Sequence, residues 1–171
     1  MKFSSKPRLP KDLADGLKAD FLTRADGKRP ATELKDGSWL LLATIGLVQV
    51  SDTDAQFIGH WHEIQHAVWE AKHQMLIIRW VDPSREPWHG VTVEDDVRSF
   101  MSQLDEFIEY TIVTTSSRQA ENGTLVHAAI RRTSDGRMFS TLTADGPLDE
   151  DGEQLADQLE TSLRDAVGLE A

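Results

Sequence analysis

Apolar residues gather first in short, closely spaced runs. Residues 39–43 and 46–50 are rich in leucine and valine and break at Thr44-Ile45. Runs at 56–59, 65–69, 75–81 and 90–94 follow, with polar or proline-bearing turns between them. Short branched and aromatic runs bounded by such turns read as strands. Met75-Leu76-Ile77-Ile78-Arg79-Trp80-Val81, stopped by Asp82-Pro83, is the clearest. A strand at 20–24 opens the series, and Gly and Pro signals make 25–30 a loop. Spacings of three and four then take over. Val97, Phe100, Met101, Leu104, Phe107 and Ile108 share one face of a helix over 95–108. Asp95 and Asp96 sit at its start, where the helix dipole favours carboxylates.

The pattern repeats more simply toward the carboxyl end. Strands at 110–116, 125–132 and 138–143 are separated by Asn122-Gly123 and Asp135-Gly136, both hairpin signals. A helix over 150–167 carries Leu155, Leu159, Leu163 and Val167 on one face and acidic residues at its amino end. Residues 1–10 read as a mobile tail or an extended lead-in, and Leu13 and Leu17 suggest a short helix after Pro10. The expected core comprises Leu40, Leu42, Val48, Ile64, Trp69, Ile78, Trp80, Met101, Leu104, Ile112, Ile130, Leu155 and Leu159.

Charge narrows the partners. Lys and Arg against Asp and Glu number nine to six in residues 1–37, four to eleven in 38–108 and five to twelve in 109–171, for a net charge of −11. An acidic body repels phosphate backbones and anionic lipid, so nucleic acid is disfavoured and a protein partner or a second copy of the chain is expected. There is no cysteine, which excludes thiolate zinc sites and cysteine nucleophiles and fits a reducing compartment. The first eight residues carry charge without the apolar run of a secretory signal, and no stretch has the roughly 18 apolar residues of a membrane span. The location expected is cytoplasmic, without integral membrane association.

One stretch carries candidate chemistry. His62-Glu63-Ile64-Gln65-His66 has zinc-peptidase spacing. On a helix, positions i and i+4 share a face, so His62 and His66 would hold Zn²⁺ while Glu63 activates water and Glu86 serves as a third ligand. Three features oppose this reading. Pro87 pushes Glu86 out of helical geometry. The alternative third-ligand pattern needs a glycine and a histidine where Trp69 and Lys72 stand. The helix would also run straight into the strand at 75–81. Residues 60–70 are therefore read as extended, with diverging imidazoles. His60 and His62 would then share one strand face and bind metal only adventitiously.

Up to Ile108 the order of elements resembles a pleckstrin-homology-like antiparallel barrel capped by a helix. Trp61-His62-Glu63-Ile64, Ala67, Trp69 and Leu76-Ile77-Ile78 resemble an uncharacterised family of actinobacterial proteins, and so do Ala128-Ala129-Ile130-Arg131-Arg132, Asp135-Gly136 and Asp145-Gly146-Pro147-Leu148-Asp149. That family pairs such a barrel with a three-strand-plus-helix unit and carries no established activity. The resemblance implies an α+β fold. It has a tail and short helix over 1–16, a barrel of about seven strands with its capping helix over 17–108, and a βββα unit over 109–171. It also implies a loop between the first two strands, where such domains often hold phosphorylated ligands. Arg24, Lys28, Arg29 and Lys35 fall there, so Lys28 and Arg29 are candidates for an anion or lipid headgroup. The functional expectation is a non-catalytic binding or scaffolding module without a cofactor. The alternatives are a small zinc hydrolase and an anion binder at residues 24–35.

Overall fold

Leu40, Leu41, Leu42 and Ala43 are all fully buried. Strand side chains alternate between two faces, so a run without an exposed member needs cover on both. The computed structural model, which describes residues 7–170, shows that cover. β1 (Ala31–Glu33), β2 (Trp39–Leu42), β3 (Gly46–Val50) and β4 (Ala55–His60) form one antiparallel sheet in that order. Leu40 and Leu42 enter a core with Leu47, Ile64, Leu76, Ile78 and Leu104. Leu41 and Ala43 enter another with Leu9, Ala31, Val48 and Val50, and Leu17, Phe21 and Leu22 pack against it.

The amino-terminal segment thus covers the far face of the sheet. Ala31 N–H donates to the Pro7 carbonyl at 3.0 Å, and Arg8 bridges to Pro30. Of the two expectations for this segment, residues 7–10 follow the extended lead-in and not the mobile tail, with Leu9 buried in the second core. Residues 1–6 of that expectation lie outside the described residues. α1 (Lys11–Asp15) follows. The strand expected at 20–24 is absent. A turn leads instead into a 3-10 turn, Arg24–Lys28, whose fold is set by Asp26.

A second antiparallel sheet holds β5 (Ile64–Glu70), β6 (Met75–Trp80) and β7 (Trp88–Val91) in that order. Its inner side chains join α2 (Arg98–Tyr110), whose Phe100, Leu104 and Ile108 are buried in the same core. The two sheets meet along one seam. Leu34 bridges Thr92, Lys35 N–H donates to the Val91 carbonyl at 2.8 Å, and Val93 N–H donates to the Glu33 carbonyl at 2.9 Å. β4 and β5 are not paired. The seven strands therefore form two sheets and no closed barrel, because a 3-10 turn at Trp61–Glu63 redirects the chain between them.

Two elements of this part start more than one residue from where they are expected. β7 begins at Trp88, not 90, and α2 begins at Arg98, not 95. Asp95 and Asp96 precede the helix. Asp96 accepts the Arg98 backbone N–H at 3.2 Å and pairs with its guanidinium at 2.7 Å. The Arg98 side chain, then its backbone N–H, hold the Asp96 carboxyl down to about 2.

The chain divides into two compact units, residues 1–109 and 110–171. In the second, β8 (Ile112–Gln119), β9 (Leu125–Arg132) and β10 (Met138–Ala144) form an antiparallel sheet in that order. Gly123 and Gly136 turn its hairpins at φ of +90° and +88°, a region that side chains disfavour. Val126, Ala128 and Ile130 pack against Ala156, Leu159 and Leu163 of α3 (Glu150–Ala166). Asp149 caps α3 by accepting the Gly152 N–H at 2.8 Å. Of the expected core, Trp69, Met101, Ile112 and Leu155 are only partly buried.

Candidate functional site

The histidine run lies at the corner between the two sheets. His60 ends β4, His62 and Glu63 lie in the 3-10 turn, and His66 sits on β5. The i, i+4 spacing therefore spans a turn and a strand, so no helical face holds both imidazoles. Trp61 explains the local fold. Its indole is buried, donates to the Ala43 carbonyl at 3.0 Å and stacks on Phe107 at 4.9 Å. Swinging this large ring inward forces the backbone to turn. Of the stretch expected to be extended, residues 61–63 instead form the 3-10 turn, while His60 and residues 64–70 are in strands. The His60 and His62 rings do not diverge but stack, with centroids 5.0 Å apart and 15° between planes. Phe57 packs edge-on against His60 at 4.8 Å.

Glu63 is half-exposed, with one carboxylate oxygen bonded to the turn. Its Oε2 accepts the His60 N–H at 2.7 Å and lies 3.8 Å from Arg85 Nη1. Arg85 donates to the Ile58 carbonyl at 2.6 Å and lies over the Trp80 ring at 3.5 Å. Ile58 is the extra residue of a bulge in β4, so its carbonyl needs such a donor. Glu86 is an exposed loop residue whose backbone carbonyl accepts the Trp80 Nε1–H at 2.9 Å. His66 faces Arg79 across the β5–β6 ladder. Burial, and then the charge of Arg79, lower its imidazole pKa. Among the described residues, no group of three or more His, Asp or Glu side chains is placed to hold a metal ion.

The basic segment is built differently from expectation as well. With no strand at 20–24, it is not a loop between the first two strands. Arg24, Lys28 and Arg29 precede β1, and Lys35 lies on the β1–β2 turn. The centre of the segment is Asp26, which is fully buried. Its Oδ2 accepts the Thr23 N–H at 2.7 Å and hydroxyl at 3.0 Å. Its Oδ1 accepts the Thr44 N–H at 2.8 Å and hydroxyl at 2.9 Å. Burial pushes the carboxyl up, but these four donors outweigh it and the pKa ends below the usual 3.8. Arg29 Nε donates to the Leu42 carbonyl at 2.7 Å, and its guanidinium lies over Phe107 at 4.6 Å and 3.9 Å from Asp26. Arg29 thus ties the turn to β2 and α2. Lys28 is exposed, and with Arg24 it lines an open cleft of about 750 Å³.

No family model matches the chain, and no curated protein matches it either. Sequence reasoning missed Asp26 and Arg85. Thr23 and Asp26 have the three-residue offset of a capping box, which is a readable signal for the first. Nothing in the sequence announces that Arg85 reaches back to Ile58.

Proposed function

We propose that the protein is a cytoplasmic, non-catalytic binding or scaffolding module. We also propose that its first unit is pleckstrin-homology-like and that the chain is a member of the actinobacterial family it resembles. The strand order supports the second point, with four antiparallel strands, then three, then one helix over a shared core. The observation that carries the first is the commitment of Glu63. One oxygen of the carboxylate that would have to activate water accepts the His60 N–H beside Arg85, on a turn and not a helix.

Two measurements test this reading. Protein purified without an affinity tag should carry far less than one zinc per chain, unchanged by His62→Ala. One zinc per chain, lost in His62→Ala, would establish the hydrolase instead. Crosslinking in the native cell should then yield discrete protein adducts, and their absence would remove the binding role. An anion site at the cleft beside Lys28 is a second reading, favoured by the exposure of Lys28 and Arg24 there. It requires that Lys28→Ala with Arg24→Ala abolish phosphate-ligand or liposome binding.

A further inference from the structure

Residues 7–29 lie over one face of the four-stranded sheet as a strap. Among the described residues, the backbone bonds inside it are local: Ala14 N–H to Pro10, Gly16 to Asp12, Leu22 to Ala19, Asp26 to Thr23 and Arg29 to Asp26. Its α1 has five residues, too few to hold a helix alone. The strap therefore keeps its order only while docked. Its polar ties to the sheet sit at its two ends. At one, the Pro7 carbonyl accepts the Ala31 N–H. At the other, the Asp26 carboxylate accepts the Thr44 N–H and hydroxyl, and Arg29 Nε donates to the Leu42 carbonyl. Between them the contact is apolar and incomplete. Leu9 is buried, but Leu17, Phe21 and Leu22 are half-buried, and the Phe21 ring meets Phe57 at 5.7 Å. An open cleft of about 260 Å³ lies between α1 and the β3–β4 turn. The strap brings Asp12 and Lys18 to that cleft and the turn brings Asp52 and Asp54, so charge adds no net pull across it.

The sheet does not need the strap to persist. β2 and β3 are each paired on both edges, and no strap residue enters the first core, which holds Leu40, Leu42 and Leu47. We propose that residues 7–29 leave the four-stranded sheet as one unit, ahead of the rest of the first unit, and that Asp26 is the latch that sets how often they do so. Asp26 is fitted to that role because one buried carboxylate joins the strap's own turn, through Thr23, to the sheet, through Thr44. Removing its charge or one of its donors leaves a buried group unpaired in the closed state alone, so only that state is weakened. Opening uncovers Leu41, Ala43, Val48 and Val50, and the latch thus governs when this apolar face meets water. Such sub-global release is the behaviour of a contiguous element with few ties to its neighbours. Strap opening does not depend on whether the protein is a binding module, since it uses neither Glu63 nor the charge of Lys28.

The test is native-state hydrogen exchange of the full chain, followed by NMR in low urea. In the wild type the amides of Ala14, Gly16, Leu22 and Arg29 should share one opening free energy, lower and less urea-dependent than that of the β6 amides. Ile78→Val trims the first core without unfolding it and should speed exchange of the β6 amides about two- to tenfold. The strap amides should not follow. Asp26→Asn should speed Ala14, Gly16 and Leu22 together by at least about tenfold, although none of the three bonds to Asp26. Thr44→Val removes only the hydroxyl donor and should move the same three amides in the same direction, which keeps the test decisive if Asp26→Asn does not fold. Strap amides that exchange at the β6 free energy, or that follow Ile78→Val, would show that the strap opens only with the whole unit, and would overturn the device. Acceleration confined to Asp26 and the residues bonded to it would mean piecemeal fraying, and would overturn the latch.

Discussion

Asp26→Asn replaces a buried carboxylate by a neutral side chain of the same shape. Each Asp26 oxygen accepts one backbone N–H and one hydroxyl. The Thr23 and Thr44 hydroxyls can rotate to become acceptors, but the two backbone N–H groups cannot. Whichever way the new amide is oriented, its NH₂ faces one of them. One charge-assisted bond worth about 1.5–3 kcal/mol is lost, and a buried donor is left opposed to another donor. The expected loss of stability is about 2–4 kcal/mol at pH 7, read by urea unfolding at 25 °C with exposed Asp15→Asn as control. For a unit of this size that is a fall of roughly 10–20 °C in midpoint. The pH dependence follows from the sign of the shift. The folded pKa lies below the unfolded 3.8, so the fold favours the ionised carboxylate. Its contribution is complete above the unfolded value and disappears as pH falls through the folded one. The gap between wild type and variant should therefore narrow below about pH 4. A variant within about 0.5 kcal/mol of wild type, or a gap as wide at pH 3 as at pH 7, would refute this account of the turn.

Trp61→Phe should cost about 1–3 kcal/mol in chemical unfolding, because it leaves the Ala43 carbonyl without its indole donor. Gly46→Ala should prevent folding of the first unit by circular dichroism, since the added Cβ would lie 2.1 Å from the Gly59 carbonyl oxygen. Arg85→Ala should lower the urea midpoint by the equivalent of about 1–3 kcal/mol, the cost of leaving the bulged Ile58 carbonyl unpaired. Leu159→Ala should cost about 2–5 kcal/mol and speed proteolysis of the second unit, whose core it removes.

The legible parts of the fold were those where one local period decides the outcome. Leu104 and Ile108 repeat at helical spacing, and the 75–80 strand is branched and bounded by proline. What was hidden depends on partners distant in sequence. Leu9 and Phe21 carry no periodic signal, and their place is set by the uncovered face of Leu41 and Ala43. The run at 20–24 contains Phe21 and Leu22 and looks like a strand, but Asp26 captures Thr23 and Thr44, and the turn wins. The histidine run could be judged nonhelical from its neighbours. Its stacked rings could not be foreseen, since they follow from Trp61 being drawn inward over Phe107.

The same division explains why the motif does not form the helical face that its spacing suggests. A zinc site needs its donors left over after the fold has been made. At this corner the fold separates them, with His62 on the turn and His66 on β5. A sheet that stops pairing between β4 and β5 must turn there, and the turn exposes backbone groups that need partners. Glu63 takes the His60 N–H and Arg85 takes the Ile58 carbonyl. At the opposite seam the backbone seals itself, with Lys35 and Val93 bonding across β1 and β7. Glu63 and Arg85 therefore act as structural supports at the corner that the backbone leaves open.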